Sequence, residues 1–151
     1  MQVIADTREQ NPWTFEDLGV HVTRATLHTG DYSLPGLEHR VAIERKSADD
    51  FVGTVLRERA RFYQELERLR AFEFRAVIVE ASVRDLVAGR YRSRVRPEVV
   101  LGFVGEIAVA QSVPVYLAGS RAEAQVLAAA FLRQAEKKLS SSPGLAAEGV
   151  G

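Results

Sequence analysis

Between Gly30 and Phe51 the chain reads GDYSLPGLEHRVAIERKSADDF, and its acids and bases fall at spacings that suit phosphodiester chemistry. Asp31 follows a glycine, a turn passes through Pro35 and Gly36, and Val41-Ala42-Ile43 runs into Glu44-Arg45-Lys46. Hydrolysis of a phosphodiester needs a divalent cation held by carboxylates that leave room for water and a phosphate oxygen, because Mg²⁺ and Mn²⁺ prefer oxygen ligands and keep several waters. Asp31 and Glu44 can supply those carboxylates. The apolar, partly β-branched run Val41–Ile43 predicts a buried strand whose polar end begins at Glu44. Alternation then puts Glu44 and Lys46 on one face and Arg45 on the other. Of such a pair, the carboxylate binds metal, while the ammonium orients or helps deprotonate the attacking water and offsets phosphate charge.

The amino terminus reads Val3-Ile4-Ala5-Asp6-Thr7-Arg8-Glu9, a strand that delivers Asp6 and Glu9 to its carboxyl end. A turn or helix cap at Asp6 fits this segment equally well. An acid followed after a turn by Glu-x-Lys on a strand resembles the PD-(D/E)xK restriction-endonuclease-like superfamily. The fuller string, Gly30-Asp31 with Glu44-Arg45-Lys46 and Asp50, looks like the GD…ERKxxxD signature of the XPF-family structure-specific nuclease domain, and the Asp-x-Arg-Glu end of the first strand adds to the match. The resemblance runs from Val3 to about Lys138.

That resemblance implies an α/β fold, a restriction-endonuclease-like core with a mixed central sheet flanked by helices. It implies a DNA endonuclease acting on branched, flap or fork DNA near a single-strand/duplex junction, with Mg²⁺ or Mn²⁺ as cofactor. Asp31, Glu44 and Asp6 would hold the metal and Glu9 would support them. Lys46 would position or activate water, Arg45 would contact phosphate or hold the site together, and Asp50 would support the shell; on spacing alone Asp50 is a first-turn helix acid. On the helix that follows, the family places an arginine and a polar residue near the site, which here are sought among Arg59, Arg61 and Gln64. The family also implies a homodimer, formed here through the last helices. Two alternatives stay open. The family includes non-catalytic partners that keep the fold and lose the acids, although Asp31, Glu44 and Lys46 are all present here, and a small α/β interaction module would use the same acids only as caps and surface charges. The sequence departs from the family's pattern in carrying neither a paired helix-hairpin-helix module nor a helicase domain.

At 151 residues the chain suits one domain, expected over residues 1–139, and its 46% apolar content is that of a globular protein. Lys plus Arg and Asp plus Glu number 20 each, so any grip on DNA must come from local clusters of arginine. There is no cysteine, which removes disulfides, thiolate catalysis and cysteine zinc sites. No apolar run approaches the ~20 residues of a membrane span, and the Met1 end lacks the pattern of a signal peptide. The expectation is a cytoplasmic protein with no membrane association.

Around these residues the periodicity predicts a strand within Val20–Leu27 that turns through His28-Thr29-Gly30 as part of a hairpin leading to Asp31. One long helix, capped by Ser47, is expected from about Ala48 or Thr54 to Arg70, with Phe62, Leu66 and Leu69 on its apolar stripe. Ala76–Val79 reads as a strand buried on both faces and Val113–Ala118 as another, separated by a helix from Pro97 to Gln111. Ser120 caps a last helix ending near Leu139, and a disordered tail is expected over 140–151. Trp13 and Phe15 read as a lid over the core edge. The run Arg90-Tyr91-Arg92-Ser93-Arg94-Val95-Arg96 has no acid, and its alternating guanidiniums could grip successive phosphates while Tyr91 stacks on a base; a solvated loop fits the same residues. His21, His28 and His39 lie at no metal-ligand spacing and read as surface or strand histidines.

Overall fold

Six strands form one mixed sheet in the order β2-β1-β3-β4-β5-β6, with helices on both faces, in a computed structural model that describes residues 1–141. The strands are β1 (Gln2–Asp6), β2 (His21–Ala25), β3 (Tyr32–Ser33), β4 (Val41–Ser47), β5 (Phe74–Glu80) and β6 (Val115–Leu117). The helices are α1 (Ala48–Leu56), α2 (Arg59–Leu69), α3 (Val83–Val87), α4 (Pro97–Ala110) and α5 (Arg121–Ser140). The α/β core expected from the sequence is therefore present. The expected tail lies almost wholly outside the described residues, and Ser140 itself ends α5. Among the described residues no helix is long and apolar enough to cross a membrane.

Strand β4 organises the sheet. It pairs antiparallel with β3 and parallel with β5, so that Glu44 lies beside Val77 and Lys46 beside Val79. The pleat sends Val41 and Ile43 into a core shared with Trp13, Tyr32, Ile78 and the alanines of α5. It sends Ala42 into a second core with Phe51, Phe62, Leu66 and Phe103 of α1, α2 and α4. Every residue from Ala76 to Val79 on β5 is fully buried, as the unbroken apolar run requires.

Three features differ from the sequence reading. Strand β2 is no hairpin arm: it lies at the sheet edge, parallel to β1, with Gln2 beside His21 and Asp6 beside Ala25. The hairpin is β3 with β4. Between β1 and β2 the chain crosses the sheet, and Trp13 and Phe15 are buried at 0% and 1% exposure within the core rather than lying over its rim. Trp13 stacks on Tyr32 with ring centroids 4.6 Å apart.

The long helix is two. Phe51 and Phe62 are eleven residues apart, a span of roughly 16 Å along a straight helix, yet their ring centroids are 6.5 Å apart. Folding back at Arg57-Glu58 allows that contact, which a straight helix would forbid. Helix α5 reaches across the other face and fastens the crossover: Arg121 donates to Asn11 O (3.0 Å) and Pro12 O (2.8 Å), the Phe15 N–H donates to Gln125 (2.8 Å), and Arg133 donates to Leu18 O.

Candidate active site

The carboxyl ends of β1 and β4 open on a cleft of about 220 Å³ whose floor is made by Asp31 and Glu44. Asp31 is set by backbone bonds on both sides. Its N–H donates to Ile43 O and its own carbonyl accepts from Asp6 N–H, each at 2.8 Å. Gly30 precedes it at φ +80°, and a Cβ there would meet Ile43 O at 3.1 Å and the Ala42 side chain at 3.2 Å, so the turn needs glycine. The Asp31 carboxylate accepts from Arg45 N–H at 2.8 Å and lies within hydrogen-bonding reach of Glu44.

Burial, then the charge of nearby Glu9, lifts the Asp31 carboxyl to about 6, against the lowering effect of the Arg45 N–H. Burial and repulsion from Asp31 and Glu65 push Glu44 well above the usual carboxylate range, the two carboxyls being within hydrogen-bonding reach. Glu65 of α2 closes the cleft with one buried oxygen, Oε2, that has no hydrogen-bond partner among the described residues. Oxygen donors of this kind, mutually repelling and partly unsatisfied, fit Mg²⁺ or Mn²⁺. Among the described residues no three acidic or histidine side chains form a metal-holding group. An ion between Asp31 and Glu44 would rely on water and substrate oxygens for the rest of its shell.

The remaining expected residues separate into several places. Asp6 is buried, and both its oxygens are taken, Oδ1 by Leu27 N–H at 2.8 Å and Oδ2 by Arg8 Nε at 2.6 Å. Burial alone would raise its pKa, and those hydrogen bonds hold it below the ordinary value. In this arrangement Asp6 fastens the loop before β3, each of its oxygens accepting one hydrogen bond. Lys46 shares the Glu44 face, as alternation requires, and its charge lowers the pKa of both Asp31 and Glu44. Its Nζ lies 4.9 Å from the centroid of the Phe62 ring.

Arg45 points to the opposite face and works there as a clamp. It binds Glu9 Oε1 and Glu80 Oε1 at 3.3 Å each and Asn11 O at 2.8 Å, and it covers the Trp13 ring at 4.9 Å. These bonds tie the segment after β1 to the end of β5. Glu9 reaches both the acidic cleft and a second, polar cleft, and Asp50 lines only the second, with Arg45 and Glu80.

None of Arg59, Arg61 and Gln64 lines the acidic cleft. Arg59 instead pairs with Glu106 of α4 at 3.0 Å and covers the Phe103 ring, and Arg61 approaches Glu58 at 3.9 Å. The α2 residues that do line the cleft are Glu65 and Arg68, one helical turn apart. Their signal was present in the sequence: they sit beside the buried Leu66 and Leu69, so one face of the predicted helix had to carry them. His28 also lines the cleft, three residues before Asp31 in the same tight loop.

In the arginine-rich loop Tyr91 donates to Val95 O at 2.6 Å and packs on the core, so it pins the loop and is not free to stack on a base. Arg90 pairs with Asp85 at 3.2 Å, Arg96 with Glu98 at 3.4 Å, and Arg92 lies 3.7 Å from Asp49. Arg94 is exposed and forms no ion pair among the described residues.

The family model for the ERCC4 domain matches residues 5–131. The chain is 31% identical over 90 residues to the "3'-flap repair endonuclease Xpf" of Saccharolobus solfataricus, covering 57% of this chain and 36% of that protein. It is 34% identical over 80 residues to a Methanocaldococcus jannaschii protein provisionally named ATP-dependent RNA helicase MJ1505, covering 53% of this chain and 10% of that one. The chain thus spans a tenth to about a third of these curated relatives. The XPF of Aeropyrum pernix superposes with a TM-score of 0.73 at 23% identity, over 96% of this chain and 70% of that one. A second structure of it, in complex with DNA, gives 0.68 at 23% identity, over 90% and 65% of the two chains. At that identity the likeness is one of fold.

Proposed function

Since the chain belongs to the ERCC4 domain family, we propose that it is a divalent-metal-dependent endonuclease that hydrolyses phosphodiester bonds in branched, flap or fork DNA. The observation that carries this reading is the pair of half-buried carboxyls, Asp31 and Glu44, within hydrogen-bonding reach of one another in a cleft open to solvent. The flap-repair name of one relative and the DNA complex of another support the choice of substrate.

Asp31 and Glu44 would hold Mg²⁺ or Mn²⁺, which when bound acidifies water and offsets charge on the phosphate. Lys46, on the same strand face as Glu44, orients the attacking water and adds positive charge beside it. Arg45, from the back of the strand, keeps Glu9 and Glu80 in place and so fixes the frame on which Asp31 and Glu44 stand. Arg68, at the rim, is the cleft guanidinium available to a phosphate; Arg92 and Arg94 would extend that contact along the DNA.

A homodimer is part of the proposal. Phe74, Tyr116, Leu127 and Phe131 line an apolar groove of about 480 Å³ along α5, the helix expected to pair. Light scattering of the purified chain reads the dimer directly, and a monomer at micromolar concentration would remove it.

The chemistry is tested by incubating the protein with fork, flap, duplex and single-stranded DNA in Mg²⁺ or Mn²⁺, beside Glu44→Ala and Lys46→Ala. Cleavage by the wild type with losses of at least about a hundredfold in both variants is expected. Equal activity in all three would place the cutting elsewhere, and no cleavage of any substrate would leave a nuclease-fold subunit without catalysis.

A further inference from the structure

A cleft lined by five carboxylates must still admit a polyanion. Arg68 offers one guanidinium, free among the described residues, from the α2 side. Arg8 already gives its Nε to Asp6 and its Nη2 to Leu27 O at 2.8 Å. The loop between β2 and β3 forms the lip of the cleft, and it is clamped at both ends. Leu27 N–H is bound by Asp6 at 2.8 Å on one side, and Asp31 N–H by Ile43 O at 2.8 Å on the other.

Between the clamps the loop holds unspent donors. The N–H groups of His28, Thr29 and Gly30 meet no acceptor among the described residues. The His28 imidazole is exposed and likewise has no hydrogen-bond partner among them, while it lines the same cleft as Asp31 and Glu44. Consecutive free amides in a tight turn form a concavity suited to anions, and an imidazole N–H beside them adds a directional donor whether or not the ring is charged. The clamps have a further effect: a loop already held in place loses little freedom when it binds.

We propose that His28 and the free amides of residues 28–30 form a phosphate-binding lip, which grips a backbone phosphate of the DNA where the strand enters the acidic cleft. This rests on the nuclease reading and adds to it the group that seats the substrate. Asp6 and Arg8 then act at one remove, as positioning residues that hold the lip at its height above Asp31.

The test uses steady-state cleavage of a flap substrate in Mg²⁺, with Mn²⁺ binding by electron paramagnetic resonance and thermal melting as readouts independent of turnover. His28→Ala is expected to raise KM roughly tenfold while kcat stays within about threefold, the pattern of a contact made equally before and during the reaction. Mn²⁺ affinity and melting temperature are expected to stay at wild-type values. His28→Gln, which keeps an N–H donor, is expected to recover most of the KM, and His28→Glu to worsen it. Wild-type KM in His28→Ala, or no recovery in His28→Gln, would overturn the lip while the nuclease reading stood. Failure of the wild type to cut any DNA would overturn the nuclease reading and the lip with it.

Discussion

Burial, with the charge of nearby Glu9, lifts the pKa of Asp31 to about 6, while its hydrogen bonds with Arg45 N–H and Glu44 and the charge of Lys46 act the other way. An unfolded aspartate titrates near 4. Between those values the folded chain retains a proton that the unfolded chain gives up, so stability falls as pH rises through this window. The penalty is absent below the unfolded value and complete above the folded one. Metal-free protein is therefore expected to melt at a higher temperature at pH 5 than at pH 7.5 as far as this group is concerned. Asp31→Asn, whose amide oxygen can still accept from Arg45 N–H, is expected to raise the metal-free melting temperature at pH 7.5 by a few degrees, at about 2–4 °C per kcal/mol. It is also expected to abolish stabilisation by Mg²⁺. Calorimetry at the two pH values checks both, and a variant that melts lower than wild type at pH 7.5 would contradict a cost of keeping this carboxylate charged. At this scale the sequence was most informative where chemistry and periodicity agreed: Glu44 and Lys46 could be set on one face of a strand from their spacing alone, while Asp31 was joined to them only by the family resemblance. Asp6 shows the limit. Its type and position suit a metal ligand, but Leu27 and Arg8, which occupy its oxygens, are chosen by the path of a loop that no local pattern specifies.

The unit that presents the acids is β4, and its back face is held by one guanidinium. Arg45 joins the segment after β1, through Glu9 and Asn11, to the end of β5, through Glu80, which in turn accepts from Trp13 Nε1 at 3.0 Å. A planar fork can serve these partners together and an ammonium cannot. Arg45→Lys is expected to lower unfolding free energy by about 1–3 kcal/mol, and to reduce cleavage although the charge is kept. Urea titration and a cleavage assay measure the two effects, and an unaltered midpoint would show that the clamp is dispensable. The elements legible beforehand were those with a period of their own: β4, β5, α4 and α5. The parallel seat of β2 was not, because pairing direction depends on how the 7–20 crossover runs, and alternation reads the same for either direction. Nor was the break between α1 and α2, since Val55, Phe62, Leu66 and Leu69 keep helical spacing straight across it. What decides the break is the Phe51–Phe62 contact, which is tertiary.

Across the molecule equal numbers of acidic and basic residues leave no net attraction for DNA, so binding must depend on where the most exposed arginines lie. The loop after α3 offers two. The Arg92 guanidinium is 93% exposed, with its backbone N–H tied to Asp49 at 2.7 Å, and Arg94 is exposed without an ion pair among the described residues. Reversing both to glutamate is expected to weaken DNA binding at low salt by at least tenfold with no change in melting temperature. Fluorescence anisotropy with a labelled fork reads the affinity, and unchanged binding would exclude this loop from the interface.

Helix α5 has a bearing on the order in which the molecule is built. Its Arg121, Gln125 and Arg133 fasten Asn11, Pro12, Phe15 and Leu18, partners more than a hundred residues earlier in the chain. Contacts so distant in sequence are slow to form. During synthesis the segment that carries Glu9 and Trp13 cannot be fastened until α5 has left the ribosome. Pulse-labelled hydrogen exchange during refolding should accordingly find the amides of Trp13 and Phe15 protected together with those of α5, later than the β4–β5 pair.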